Sequence, residues 1–157
     1  MGTNTADREI VIERLINAPR ELVYSAWTEP EHLIHWWGPR GFTNTFHEIA
    51  VKPGGVWRFM MHGPNNMDFP NKVVFSKVVK NELLEYVHTG EDEDDSHAFH
   101  AMITFVAQGD KTLLTMRSVF STAEERNRVV KEVNAVEGGN QTLDKLQEYI
   151  DTIKTNN

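Results

Sequence analysis

The stretch from Ser121 to Lys154 constrains this chain more than any other. Val136, Gly139, Leu143, Leu146, Ile150 and Ile153 recur at steps of three and four, which places them on one face of a helix. Asp144, Lys145, Gln147, Glu148 and Asp151 take the opposite face and meet water. Two overlapping capping boxes, Ser121-x-x-Glu124 and Thr122-x-x-Glu125, open the stretch. In each, a hydroxyl and a carboxylate satisfy backbone donors that the first turn leaves without partners. A charged piece from Ala123 to Val133 follows, with Val129, Val130 and Val133 as its apolar edge. Gly138 and Gly139 interrupt the pattern, each costing about 1 kcal/mol of helix stability relative to Ala. Such a pair predicts either a break between two helical pieces or close approach to a sheet or a cavity. An amphipathic helix of this length needs a surface to lie on.

The preceding residues supply one. Ile10, Ile12 and Ile16 alternate with Val11, Glu13 and Leu15 as a strand, which stops at Asn17-Ala18-Pro19. Proline suits the first position of a helix, and Leu22, Val23, Ala26 and Trp27 form a short helical stripe. Thr28-Glu29-Pro30-Glu31 closes that helix and caps a second, which carries Leu33, Ile34, Trp36 and Trp37 as far as Gly38-Pro39. The pair makes a small V. From Phe42 the period changes to two. Strands are predicted over Phe42 to Val51, Val56 to His62, Lys72 to Val79, Leu83 to His88, His97 to Ala107 and Thr112 to Phe120. Short turns separate most of them, among them Lys52-Pro53-Gly54-Gly55 and Gln108-Gly109-Asp110-Lys111, so the expected sheet is an antiparallel meander. The order is strand, two small helices, six strands and a long helix. That order predicts one α+β domain over residues 1–157, with the terminal helix across one face of a curved seven-stranded sheet.

Composition narrows the function. A net charge of −7 argues against nucleic acid, whose phosphates favour basic surfaces. No apolar run reaches the length of a membrane span, and the polar start is no signal peptide. The lack of cysteine removes thiol nucleophiles, disulfides and Cys-based zinc sites, and it fits a cytoplasmic setting. The acidic run Glu91-Asp92-Glu93-Asp94-Asp95 lacks the spacing and glycine of a calcium loop and reads as a solvated turn.

The segment Ala18-Pro19-Arg20-Glu21-Leu22-Val23-Tyr24-Ser25-Ala26-Trp27-Thr28-Glu29-Pro30-Glu31-His32-Leu33, followed by Trp36-Trp37-Gly38-Pro39, resembles the opening of a known family. That family is the activator of heat-shock protein 90 ATPase homologues, within the START/Bet v 1-like superfamily of helix-grip folds. Pro53-Gly54-Gly55 with Trp57, Ser121-Thr122-Ala123-Glu124-Glu125-Arg126, and Glu137-Gly138-Gly139-Asn140-Gln141-Thr142-Leu143 resemble its later motifs, in order over residues 8–154. Ala50 and Lys52 stand where an Asp and an Arg are frequent in the family, and Lys77 replaces another common acidic residue. The resemblance implies a helix-grip domain whose cavity, between sheet and terminal helix, binds a small hydrophobic or amphipathic molecule, with a stress-related role. A chaperone-associated interaction module and a cyclase- or hydrolase-like enzyme are the alternatives it leaves open. It implies no cofactor, and a monomer and a homodimer are equally compatible with it.

Trp27, Trp36, Trp57, Phe59, Met61, Phe75, Tyr86, Phe99, Ile103, Met116, Phe120, Gly139 and Leu143 are the expected lining, with Trp37 and Phe105 as further aromatics in reach. Such pockets are mostly apolar with a few polar anchors. Each aromatic taken singly could equally fill a core, burying about 150–250 Å². Trp57, Phe59 and Met61, sharing one strand face, are expected to border the space together. Histidines offer a weak metal signal. His97 and His100 point to opposite faces of a strand, His32 and His35 are three apart on a short helix, and His62 and His88 could meet across the sheet without a third ligand. No catalytic motif is present, although Glu13, Arg14, Glu48, Arg58, His88, His100 and Arg117 could reach a cavity, depending on register.

Overall fold

The computed structural model describes residues 6–90, 98–132 and 135–155. Seven strands form one antiparallel sheet: β1 (Glu9–Ile16), β2 (Thr43–Ile49), β3 (Val56–His62), β4 (Asp68–Val79), β5 (Leu83–Gly90), β6 (Phe99–Gln108) and β7 (Lys111–Phe120). Their spatial order is β1-β7-β6-β5-β4-β3-β2, a meander from β2 to β7 with β1 returning beside β7. Helices α1 (Arg20–Thr28) and α2 (Pro30–Trp36) lie between β1 and β2, while α3 (Ala123–Glu132) and α4 (Ala135–Thr155) end the fold. The inner face of the sheet contributes Ile12, Ile16, Trp57, Phe59, Val73, Phe75, Leu84, Ile103, Phe105 and Leu114 to one buried cluster. Leu143, Leu146 and Ile150 of α4, all fully buried, join it. The period of 3.6 in α4 therefore meets the period of two in the strands, as the amphipathic stripe requires.

Two irregularities bend the sheet. Register shifts occur between Phe46 and Glu48 on β2 and between Phe75 and Lys77 on β4. An extra residue on one strand increases local twist and lets a sheet curve around a helix. The turn after β2 is tied to the second of these: Gly54 N–H donates to Phe75 O at 2.7 Å, and Phe75 N–H donates to Gly55 O at 2.9 Å. Gly55 has no alternative there, because a Cβ would stand 2.0 Å from Ala50 O. The Pro-Gly-Gly motif thus works by bringing the turn close enough to cap the bulge.

Some boundaries differ from the sequence reading. β4 begins at Asp68, four residues before the expected Lys72, and absorbs Pro70. Among the described residues Pro70 pairs with Met60 of β3 and the pairing with β5 starts at Asn71, so its missing N–H breaks no described rung on that side. Pro19 is the N-cap of α1 and not its first helical residue. Glu29 serves both as C-cap of α1 and N-cap of α2, with Pro30 at the first helical position. Thr122 caps α3 by accepting the Glu125 N–H at 3.0 Å. The Glu125 carboxylate accepts from Arg128 Nε. Gly138 and Gly139 lie inside α4, so neither breaks the helix that carries them. A Cβ on Gly139 would stand 2.5 Å from Ile12 Cδ1, which makes close approach to β1 the reason for that glycine. The acidic run 91–95, His97 and Val133 lie outside the described residues.

Candidate ligand-binding cavity

The V of α1 and α2 fills one end of the sheet with aromatic rings. Trp27 packs edge-on against Trp36 at 4.9 Å, Trp37 against Trp57 at 5.1 Å, and Trp57 stacks on Phe59 at 4.2 Å. Trp36 Nε1 donates to Ala26 O at 3.0 Å and locks the two helices together. Beyond this plug the sheet and α4 separate.

Register explains why space remains there. Across four inner-face positions the rungs run Tyr86, Ala101, Ser118 and Ile10. Ala101 and Ser118, the two central members, are small, so the sheet floor is low between larger neighbours. The next rung carries His88, Phe99 and Phe120, whose rings follow one another at 4.9 Å and 5.3 Å. A cavity of about 430 Å³ lies over these positions. Ile12 and Met116 continue the floor, and Met61, Phe69 and Asn71 form the side given by β3 and β4. Val129, Ala135, Gly138, Gly139 and Thr142 of α3 and α4 roof it, and Trp37, Gly38, Pro39 and Phe42 close the remaining side. That last wall is fastened to α4. Lys145 Nζ donates to Gly38 O at 3.0 Å, Arg40 N–H donates to Gln141 Oε1 at 3.1 Å, and the Arg40 guanidinium pairs with Glu148.

Among the described residues the lining contains no Lys, Arg, Asp or Glu. Its polar groups are few and ordered. Asn71 Nδ2 donates to Phe69 O at 2.8 Å, which turns Asn71 Oδ1 towards His88 Nε2, 2.8 Å away. An amide oxygen only accepts, so His88 carries its proton on Nε2. Burial among apolar rings disfavours the imidazolium and lowers the His88 pKa to about 4. Burial likewise raises the Tyr86 phenol above its ordinary value. Tyr86 is only 3% exposed, and its hydroxyl has no hydrogen-bond partner among the described residues.

Of the residues expected to line a cavity, Met61, Tyr86, Phe99, Met116, Phe120 and Gly139 do so. Trp27, Trp36, Trp57, Phe59, Phe75, Ile103 and Leu143 do not: they are buried in the packed core beside it. Trp57 and Phe59 therefore part from Met61, with which they share a strand face. Alternation reveals which face a side chain takes, not how far along the strand the helix stays in contact. Trp37 lines the cavity and Phe105 does not. Asn71, Ser118 and Phe69 were missed. A signal for the first two existed, because Asn71, His88 and Ser118 are polar residues at inward positions of otherwise apolar strands.

Among the seven titratable candidates only His88 reaches the cavity. Glu48 lies opposite Arg58 on an exposed surface, Arg117 pairs with Glu9 at 2.7 Å, and Arg14 reaches Asp144 at 2.6 Å. His62 and His88 do not meet, since His62 binds Asp68 on the outer face and His88 points inward. His32 and His35 both engage Tyr149, the first by a 2.6 Å hydrogen bond and the second by stacking at 5.5 Å. Among the described residues no group of three or more His, Asp or Glu could hold a metal ion. No helix of the described residues is long and apolar enough to cross a membrane.

A curved antiparallel sheet gripping a long C-terminal helix, with two short helices between its first two strands, defines the Bet v 1-like helix-grip class. Residues 17–151 match the family described as activator of Hsp90 ATPase homolog 1-like protein, and the chain belongs to it. A solved protein of Nitrosomonas europaea is 23% identical, with a TM-score of 0.86 over 96% of this chain and 98% of its own. One of Arthrobacter aurescens is 20% identical, with a TM-score of 0.87 over 96% and 90%. One of Mycobacterium smegmatis is 18% identical, with a TM-score of 0.85 over 97% and 96%. At these identities the likeness is one of fold. None of the curated proteins matches the chain.

Proposed function

We propose that this protein is a cytoplasmic binding protein for a small hydrophobic or amphipathic molecule held between the sheet and α4. The observation that carries the reading is the cavity itself: about 430 Å³, walled by Phe, Met, Ile and Trp side chains, in a fold that otherwise packs its aromatics tightly. That volume lies within the roughly 300–1,000 Å³ range of small-molecule sites. Apolar surface left uncovered in such a space is unfavourable at about 25 cal/mol per Å², so a fitting occupant gains what the protein forgoes. Native mass spectrometry of freshly purified protein, compared with the denatured chain, tests this. The expected spectrum shows an added mass that is lost on denaturation or exchanged for an added apolar compound. A folded protein that takes up none of a panel of apolar compounds would contradict it.

A second reading, a chaperone-associated interaction module, is favoured by the family description and by the convex face of the sheet. There Leu15 and Val106 flank Leu113 in register and are 47% and 49% exposed. This reading requires saturable stimulation of a heat-shock protein 90 ATPase, abolished by Leu15→Glu. The binding reading expects no stimulation.

A further inference from the structure

We infer that the cavity's occupant is an uncharged molecule bearing a hydroxyl group on an apolar body, an alcohol or phenol and not a carboxylate. The inference rests on the binding reading above and specifies its chemistry. Tyr86 and His88 are two residues apart on β5 and so share its inner face. The Asn71 amide, held by Phe69 O, fixes the proton of His88 on Nε2. His88 Nδ1 is thereby an acceptor, and it has no partner among the described residues. The Tyr86 hydroxyl has none either, and it can donate or accept.

Each ligand class meets this pair differently. A carboxylate would place its lone pairs against that of Nδ1 and bury a charge where no Lys or Arg among the described residues lines the wall. Such a burial is strongly unfavourable. An ether or hydrocarbon leaves the Nδ1 lone pair unsatisfied. A hydroxyl donates to Nδ1 while accepting from the Tyr86 phenol, so one group satisfies both. Ser118, beyond Ala101 on the rung that carries Tyr86, offers a further hydroxyl to another polar group of the ligand. The suppressed ionisation of both Tyr86 and His88 agrees with a site built for neutral partners.

The test is competition against the neutral fluorescent probe N-phenyl-1-naphthylamine, at pH 7.5, by three molecules of one shape: 2-naphthol, 2-methoxynaphthalene and 2-naphthoate. The naphthol is expected to displace the probe at a concentration about five- to tenfold below the other two, the effect of one or two net hydrogen bonds. His88→Phe should reduce the advantage over the methyl ether by about threefold or more while leaving displacement by the ether unchanged, and Tyr86→Phe should weaken the naphthol and the methyl ether alike, because both oxygens accept from the phenol. Two variants are used so that a folding defect in either leaves the other informative, with thermal melts as the control. Equal displacement by all three compounds, stronger displacement by naphthoate, an advantage over the ether that survives in folded His88→Phe, or unchanged displacement by naphthol and ether in folded Tyr86→Phe overturns the inference while the binding reading stands. Failure of the wild-type protein to bind the probe or any competitor overturns the binding reading, and the inference with it.

Discussion

Replacing Gly139 by Ala sets two opposed effects against each other, and their size can be worked from the contact at that position. Ala stabilises a helix interior by about 1 kcal/mol relative to Gly. Its Cβ would stand 2.5 Å from Ile12 Cδ1 and 3.3 Å from Met116 Cε, so one or both must yield. Relieving an overpacked contact of this kind costs about 1–3 kcal/mol. Both neighbours border the cavity and have somewhere to go, which favours the lower half of that range. Gly139→Ala is therefore expected to range from neutral to about 1 kcal/mol destabilising. Ile12→Val removes the offending Cδ1, and the next Ile12 atom, Cγ1, is at 4.0 Å, an ordinary contact. Alone, Ile12→Val should cost about 0.5–1.5 kcal/mol. Together the two changes should be more stable than their sum by about 1–2 kcal/mol, because the helix gain is then realised without the clash. Urea and thermal melts of the four proteins measure this, with about 2–4 °C expected per kcal/mol at this chain length. Additivity within about 0.5 kcal/mol would refute the claim that α4 seats on Ile12 through Gly139.

Two further outcomes follow from single groups. Thr122→Ala removes the N-cap of α3 and should cost about 1 kcal/mol, read as a Tm lower by about 2–4 °C, with Thr122→Asn retaining most of the stability. His88 takes up a second proton in the folded state only near pH 4, against about 6.5 in the unfolded chain. Between those values the unfolded state holds more protons, so stability falls as pH drops from about 6.5 towards 4, by up to about 3 kcal/mol. In His88→Phe this part of the pH dependence should vanish, and a melt series with the same slope in both proteins would rule out a buried neutral histidine.

Fold and cavity were legible in the sequence to different depths. The stripe from Leu143 to Ile150 and the alternation along Val56 to His62 each specify a buried face through a single period, and those elements lie where the periods put them. Boundaries were harder wherever a residue's local preference depends on a neighbour strand. Pro70 reads as a breaker, yet it sits near the start of β4, one residue outside the described pairing with β5. The cavity was harder still. Trp57, Phe59 and Met61 carry the same inward signal, but of the three only Met61 lines the cavity, while Trp57 and Phe59 are packed in the core. That difference depends on the tryptophans packed beside Trp57 and on the small Ala101 and Ser118 of the cavity floor, placed there by register across several strands. No local pattern encodes register. Polar residues at inward positions, Asn71, His88 and Ser118, were the trace that a sequence could show.

The claim that an apolar molecule occupies this space is tested most directly by titrating N-phenyl-1-naphthylamine into the wild-type protein and into Ser118→Phe. Ser118 stands on the cavity floor, and a phenyl group there fills room that a ligand would use. The wild type should give a saturable rise in probe emission at one site per chain. Ser118→Phe should melt at or above the wild-type temperature and give no saturable rise. Equal binding by the two folded proteins, or no saturable binding by the wild type, would contradict the account.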